Sequence, residues 1–329
     1  MRTILALDFP IRGVTMKKKN VLFEVVLTIA GFAALIFFSC KVPILPALTI
    51  WLLPIPLMYA GSKWGWRGAL ALLLPGAVFV LTIQPNIGAL IPAMMMLTGF
   101  VMGVVLGLKK SAFSILTAGT LANVTMLILL LAISIRYFQF NPIVEMKTAI
   151  GHSFDTAVAE AQPFLTQDTG ELKDLMKEEL DFLGYLAPSL IVLVGFLYAF
   201  IVALIGLPAL RKLGAGAPHW RPLRSLQVPK SLMWIYLCVL LVVTFGQLEA
   251  GTPLFIVSVN LVFVLEMVLA FQGIGFIFYV AYVRGIPKAI PTLTTIVVVM
   301  FGFLLIRLAA ILGMIDLMFN LRSRLTKKG

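Results

Sequence analysis

Charge is what this chain has least of. Charged residues are 12% of its 329 positions, about half the share found in soluble domains. A water-facing globule cannot be covered with so little polar surface. Acids are scarcer than bases, 14 against 26, for a net charge of +12. That excess does not point to nucleic acid, because the basic residues sit in short loops between apolar runs, as cytoplasmic loops do. There are two cysteines, Cys40 and Cys238, and no CxxC spacing. A metal or redox pair is therefore absent, and both thiols read as apolar fillers. HExxH, paired-aspartate and P-loop patterns are missing too. The two histidines, His152 and His219, fall on opposite sides of the membrane in the topology below. Gly151-His152-Ser153 does not lie on an apolar helix, which removes an intramembrane serine protease. No catalytic residue, cofactor site or metal site is expected, and the chain does not read as an enzyme.

Long apolar runs dominate instead. Hydrophobic residues are 61% of the chain, and the mean hydropathy is +1.05. The expected fold is all-α, a polytopic helical bundle in the lipid bilayer with about eight or nine transmembrane segments. The apolar segments are Val21–Ser39, Val42–Ala60, Ala69–Ile83, Ile87–Leu108, Ala112–Tyr137, Tyr185–Leu210, Ser231–Leu248, Thr252–Val283 and Ile290–Met314. Met16 followed by Lys17-Lys18-Lys19 reads as the natural start, which leaves 1–20 as a short tail. Prolines 43, 46, 54 and 56 predict a kinked second span, and Pro75-Gly76 an interruption of the third. Gly61–Gly68 combines two tryptophans with Lys63 and Arg67, which is interfacial turn chemistry. Gly99, Gly103 and Gly107 predict a close helix contact.

Polar sequence is concentrated at 139–184, which holds nine of the fourteen acids. Its apolar residues recur at helical spacing, so two amphipathic helices are expected there, the second opened by a capping-box-like Asp168 and Glu171. The 211–230 loop is basic and has no acid, and 315–329 is a basic tail. With Lys17–Lys19 inside, Lys63/Arg67, Lys109/Lys110 and 211–230 also fall inside, and the acidic segment falls outside. The N-terminus is then cytoplasmic and the protein multi-pass in a bacterial plasma membrane. The C-terminal end conflicts with this scheme. One crossing by 252–283 and one by 290–314 would place the basic tail outside, unless the long stretch is broken or re-entrant.

The stretch 252–283 also carries the least comfortable residue. As a helix it would rise about 48 Å against roughly 30 Å of hydrocarbon, so it must tilt, protrude or break, with Gly273–Gly275 the expected break. Glu266 near its middle costs at least about 2–3 kcal/mol on insertion scales unless it is paired, protonated or wetted. Arg307 is the obvious partner. Glu266, Arg307, Asn123 and Gln272 are the candidate intramembrane polar residues, with a structural ion pair slightly preferred for the first two. Asn123 could contact solute, but a lone intramembrane asparagine more often bonds a neighbouring helix.

Two parts of the sequence resemble known families. Asn260, Gln272-Gly273, the turn Arg284–Lys288 and the run Leu312-Gly313-Met314-Ile315-Asp316-Leu317-Met318-Phe319-Asn320-Leu321-Arg322 resemble the YybS family of bacterial membrane proteins, whose members end in a similar LGxxDxxFxxR run. That resemblance covers most of Met16–Lys328 and brings no catalytic residue. Residues 21–210 resemble the six-helix substrate-binding subunits of energy-coupling-factor vitamin transporters, through Ala30 and Ala34, the proline-rich second span and the Gly65–Gly68 turn. In that family the helix-one pattern contacts a shared coupling subunit. The resemblance implies a vitamin-like small solute, a transmembrane coupling subunit and an ATPase pair, with 39–47, 84–86 and 139–184 capping the solute. Residues 231–314 depart from the six-helix plan. Small-solute uptake is one expected function. A non-transporting scaffold in cell-envelope assembly or sporulation is the other.

Overall fold

A computed structural model describes residues 18–42, 45–161 and 169–326. Met16, Lys17, Pro43, Asp168, Lys327 and Lys328 lie outside that range, and with them the start-site and capping-box expectations. The described chain is helical, in the order α1 (Lys18–Lys41), α2 (Pro46–Leu52), α3 (Pro54–Ile83), α4 (Leu90–Gly107), α5 (Ala112–Phe138), α6 (Pro142–Ala161), α7 (Thr169–Tyr185), α8 (Ala187–Lys212), α9 (Lys230–Phe245), α10 (Pro253–Val283), α11 (Ala289–Met300), α12 (Gly302–Phe319) and α13 (Leu321–Thr326). Six stretches of it are long and apolar enough to cross a membrane, and α9 and α11 are shorter apolar helices. The chain is a polytopic helical membrane protein. It divides into two compact units, residues 1–139 with 191–220, and residues 140–190 with 221–329.

In the first unit the core is apolar, with Leu53, Leu57, Met58, Met96, Met102, Leu106 and Leu207 fully buried. Glycine allows the helices to meet. A Cβ on Gly103 would lie 2.6 Å from the Leu57 carbonyl oxygen, while one on Gly99 would strike Pro54 and one on Gly107 would strike Gly61. Numbers rise together on both helices, so 54–61 runs parallel to 99–107. Gly76, by contrast, packs on Met96 across the short turn from Ile83 to Leu90, so the second half of α3 runs antiparallel to α4. The chain therefore reverses at Gly65, whose φ of 70° and ψ of −172° glycine adopts at little steric cost. The 38 residues from Pro46 to Ile83 thus form two antiparallel legs. Pro75 does not interrupt the helix, contrary to the sequence expectation. Its missing N–H and ring are tolerated within a tightly packed bundle, where neighbours compensate.

This reversal gathers the basic residues of the unit at one end. Lys63 and Lys109 come up against Gly214 and Gly216, and Arg211 Nη1 donates to the Pro218 carbonyl at 2.8 Å. At the same end the Tyr59 hydroxyl donates to Glu24 at 3.2 Å, with Lys63 over the Tyr59 ring.

In the second unit α6 and α7 are the two amphipathic helices that the sequence predicts. They face each other through Lys147–Asp181 at 2.6 Å and Lys173–Asp155 at 3.4 Å. Helix α10 is unbroken over 31 residues, contrary to the break expected at Gly273–Gly275. Asn260 Nδ2 donates to the Tyr185 carbonyl at 2.7 Å, and its Oδ1 accepts from the Ser189 amide and hydroxyl. Nineteen residues on, the Tyr279 hydroxyl donates to the Arg322 carbonyl at 3.0 Å. The two anchors stand about 28 Å apart along the helix, close to the hydrocarbon thickness. A continuous helix can therefore meet that thickness with its ends outside it, and no break is required.

The ninth apolar segment differs most from expectation. It is two helices, divided at Phe301–Gly302, where Gly302 has φ of 46°. Helix α11 rises about 18 Å, less than the hydrocarbon thickness. Helix α12 then runs parallel to α10: Arg307 meets Glu266, Gly313 meets Leu269 and Gly273, and Arg322 meets Tyr279. The tail thus returns to the end that holds Arg284 and Lys288. One crossing becomes a two-legged hairpin, and the conflict over the sign of the tail disappears.

Candidate functional site

The α10–α12 contact places two polar residues within reach of each other. A Cβ on Gly273 would overlap the Ala309 carbonyl, and one on Gly313 the Leu269 carbonyl, so the two backbones touch. Gln272, beside the first glycine, is fully buried. Its Nε2 donates to Asp316 Oδ2 at 2.7 Å, and its Oε1 accepts from the Val228 amide at 3.1 Å. Helix α12 ends at Asn320 in the left-handed conformation, which turns the chain into α13. That turn brings Arg322 back onto Asp316, with Nε to Oδ2 at 2.9 Å, and Nη1 donates to the Arg224 carbonyl at 2.8 Å. The Arg224 guanidinium lies 3.9 Å over the Tyr282 ring.

The Asp316 and Arg322 side chains are 3% and 8% exposed. A pair so buried gains a charge-assisted bond but depends on both partners, because removing either strands a charge away from water. Beside it lies a pocket of about 170 Å³ lined by Gln227, Lys230, Gln272, Asp316, Asn320, Arg322 and Ser323, among others. Its walls come from α9, α10, α12, α13 and the 221–229 loop. It has room for a small polar group among polar side chains.

Of the residues singled out in the sequence, Gln272 is the one within this cluster. Glu266 and Arg307 pair at 3.4 Å elsewhere on the α10–α12 seam, with Glu266 12% and Arg307 57% exposed. Asn123, in the first unit, donates to Thr98 Oγ1 at 3.3 Å on α4, and its Oδ1 is buried with no hydrogen-bond partner among the described residues. Ala30 and Ala34 are exposed on α1. Among the described residues no group of three or more His, Cys, Asp or Glu could hold a metal ion. Asp316 and Arg322 are the fixed aspartate and arginine of the terminal LGxxDxxFxxR run, but they were not among the candidate intramembrane polar residues. They stand six apart, a spacing that puts residues on different faces of a continuous helix, and only the turn at Asn320 brings them together. The available signal was their presence in the terminal run together with Gly313.

A family model described as "Predicted membrane protein (DUF2232)" matches residues 20–317. The chain is 30% identical over 319 residues to "Uncharacterized protein YybS" of Bacillus subtilis (strain 168), covering 94% of this chain and 99% of that one. No solved structure matches, and the resemblance of residues 21–210 to energy-coupling-factor subunits rests on the residue pattern alone. With a family model that matches from the first lysine-flanked span to the aspartate of the buried cluster, the chain belongs to the DUF2232 family of membrane proteins.

Proposed function

We propose that this protein is a small-solute uptake component of a bacterial plasma membrane, with its N-terminus cytoplasmic, and that its solute is held beside Gln272 of α10. The observation that supports this reading is the pocket beside Gln272, Asp316 and Arg322. Ionisable groups this deeply buried in a membrane protein are functional candidates by default, and these line a cavity between helices, which is where bundles place ligands. A short leg such as α11, leading into the helix that carries Asp316, is also a feature of transport proteins built on discontinuous helices. In this reading the protein is not an enzyme. The energy comes from a partner ATPase pair through a coupling subunit, for which the open Ala30–Ala34 face of α1 is a docking surface.

The test is native mass spectrometry of the protein gently solubilised from its own host. A retained small molecule, lost in Gln272→Ala, supports uptake. A bare protein, or one that copurifies with envelope proteins and no ligand, removes it in favour of a scaffold. The α6–α7 hairpin is what favours that second reading, because it combines acids with exposed Val144, Met146, Leu172 and Leu175.

A further inference from the structure

We propose that the pocket beside Gln272 takes a small neutral solute that donates hydrogen bonds, of which a polyol is the type, and that Asp316 Oδ1 is its acceptor. The proposal rests on the uptake reading for its site and adds the ligand class. Asp316 is 3% exposed, and both of its hydrogen bonds fall on one oxygen. Oδ2 receives Gln272 Nε2 at 2.7 Å and Arg322 Nε at 2.9 Å. Oδ1 receives no donor among the described residues, and the residue stands in the pocket wall. A charged oxygen kept from water without a donor is costly, and a bound donor removes that cost. The acceptor is also held in place. Gln272 is fixed through its Oε1, which accepts from the Val228 amide at 3.1 Å. The two donors on Oδ2 then hold the carboxylate, with Oδ1 left over on the pocket side.

The rest of the lining sets the charge of the ligand. An anion would meet the open carboxylate oxygen, and the donors that could answer it are spent. Arg322 gives Nε to Asp316 and Nη1 to the Arg224 carbonyl, and the Ser323 hydroxyl donates to the Asn320 carbonyl at 2.8 Å. A cation would meet two positive groups against one negative: Arg322 on the other oxygen of the same carboxylate, and Lys230 on the wall. A neutral donor meets neither repulsion. A hydroxyl suits the remaining groups as well. It gives a proton to Asp316 and accepts one from Lys230 or from the side-chain amides of Gln227 and Asn320. The volume of about 170 Å³ lies below the roughly 300–1,000 Å³ of drug-sized sites, which limits the solute to a few carbons.

The experiment is equilibrium dialysis of the full-length protein in detergent. Labelled erythritol should bind saturably, with the same affinity at low and high salt, as an uncharged ligand requires. Its tetramethyl ether keeps the oxygens and loses the donors. It should compete at least about tenfold less well, the loss of one bond to a charged acceptor. Inorganic phosphate and methylammonium should not compete. Asp316→Asn keeps the size of the side chain and should weaken erythritol by a similar factor. If that variant has a lowered thermal midpoint, Asp316→Asn with Arg322→Gln removes the acceptor without stranding the arginine, and should lose erythritol too. Failure of erythritol to bind overturns the proposal and leaves Oδ1 to water. Equal competition by the ether, or competition by either ion, overturns it as well. A charged molecule retained by the protein from its host would overturn the ligand class while keeping uptake. Saturable erythritol binding, in a host whose polyol uptake survives deletion of this chain, would do the reverse.

Discussion

Two helix pairs in this protein close on glycine, but different forces complete them. Along α3 and α4, Gly99, Gly103 and Gly107 bring the backbones together and the surrounding contacts are apolar, with Leu57, Met58, Met96 and Met102 buried about them. Along α10 and α12, Gly273 and Gly313 do the same, and the approach then delivers Gln272 to Asp316 and Asp316 to Arg322. Lipid is as apolar as leucine, so packing of small residues stabilises helix association in both pairs. Only the second pair adds a buried charge that depends on its partner. The first contact is therefore structural and replaceable in kind. The second ties helix packing to the geometry of a polar pocket.

Six single substitutions sharpen that contrast. The largest effect is expected from Asp316→Ala, which strands the Arg322 charge and should cost about 3–5 kcal/mol. Unfolding in graded denaturant would show it, and Asp316→Ala combined with Arg322→Met should recover most of the loss. Next come Gly313→Val and Gly103→Val, each overpacking a helix seam by about 1–3 kcal/mol. Gly313→Val should lie at the upper end, because it also draws Gln272 away from Asp316. Equal losses would mean that the polar cluster adds nothing beyond packing. Glu266→Gln and Arg307→Gln should each cost about 1 kcal/mol, a membrane polar contact of ordinary strength. The charge-swapped Glu266→Arg/Arg307→Glu protein should express and unfold nearly as the parent does. Gly65→Ala falls between these ion-pair variants and the seam variants, at about 1–3 kcal/mol, because φ of 70° with ψ of −172° is a region that glycine alone adopts readily, and it should be read as a fall in thermal midpoint with the topology unchanged.

Much of the architecture was legible in the sequence because the bilayer leaves few choices. Apolar runs near twenty residues, tryptophans beside Lys63 and Arg67, and acids confined to 139–184 specify spans, turns and an amphipathic hairpin directly. The glycine spacing at 99–107 likewise specified a contact, and Glu266 found Arg307 because few charges were on offer. Hydropathy does not resolve a break inside a uniformly apolar run. Val299-Met300-Phe301-Gly302-Phe303 carries no polar signal, so the hairpin of α11 and α12 went unread, and only the misplaced charge of the tail hinted at it. Gly273 was read as a breaker, because a glycine has the same letter whether it ends a helix or admits a neighbour. The buried cluster depended on Asn320 adopting a left-handed conformation, which local spacing does not announce.

The account depends on the tail returning through α11 and α12 to build the pocket with the 221–230 loop. Thiol labelling tests this directly. Cys40 and Cys238 are replaced by serine, and single cysteines are placed at Ser323, Lys288 and Glu249, all exposed positions. A membrane-impermeant maleimide is then applied to intact cells and to inverted vesicles. The account predicts that Ser323→Cys and Lys288→Cys react from the same side and Glu249→Cys from the opposite side. Labelling of Ser323→Cys together with Glu249→Cys would mean that 290–314 crosses once, and the site beside Gln272 could not form.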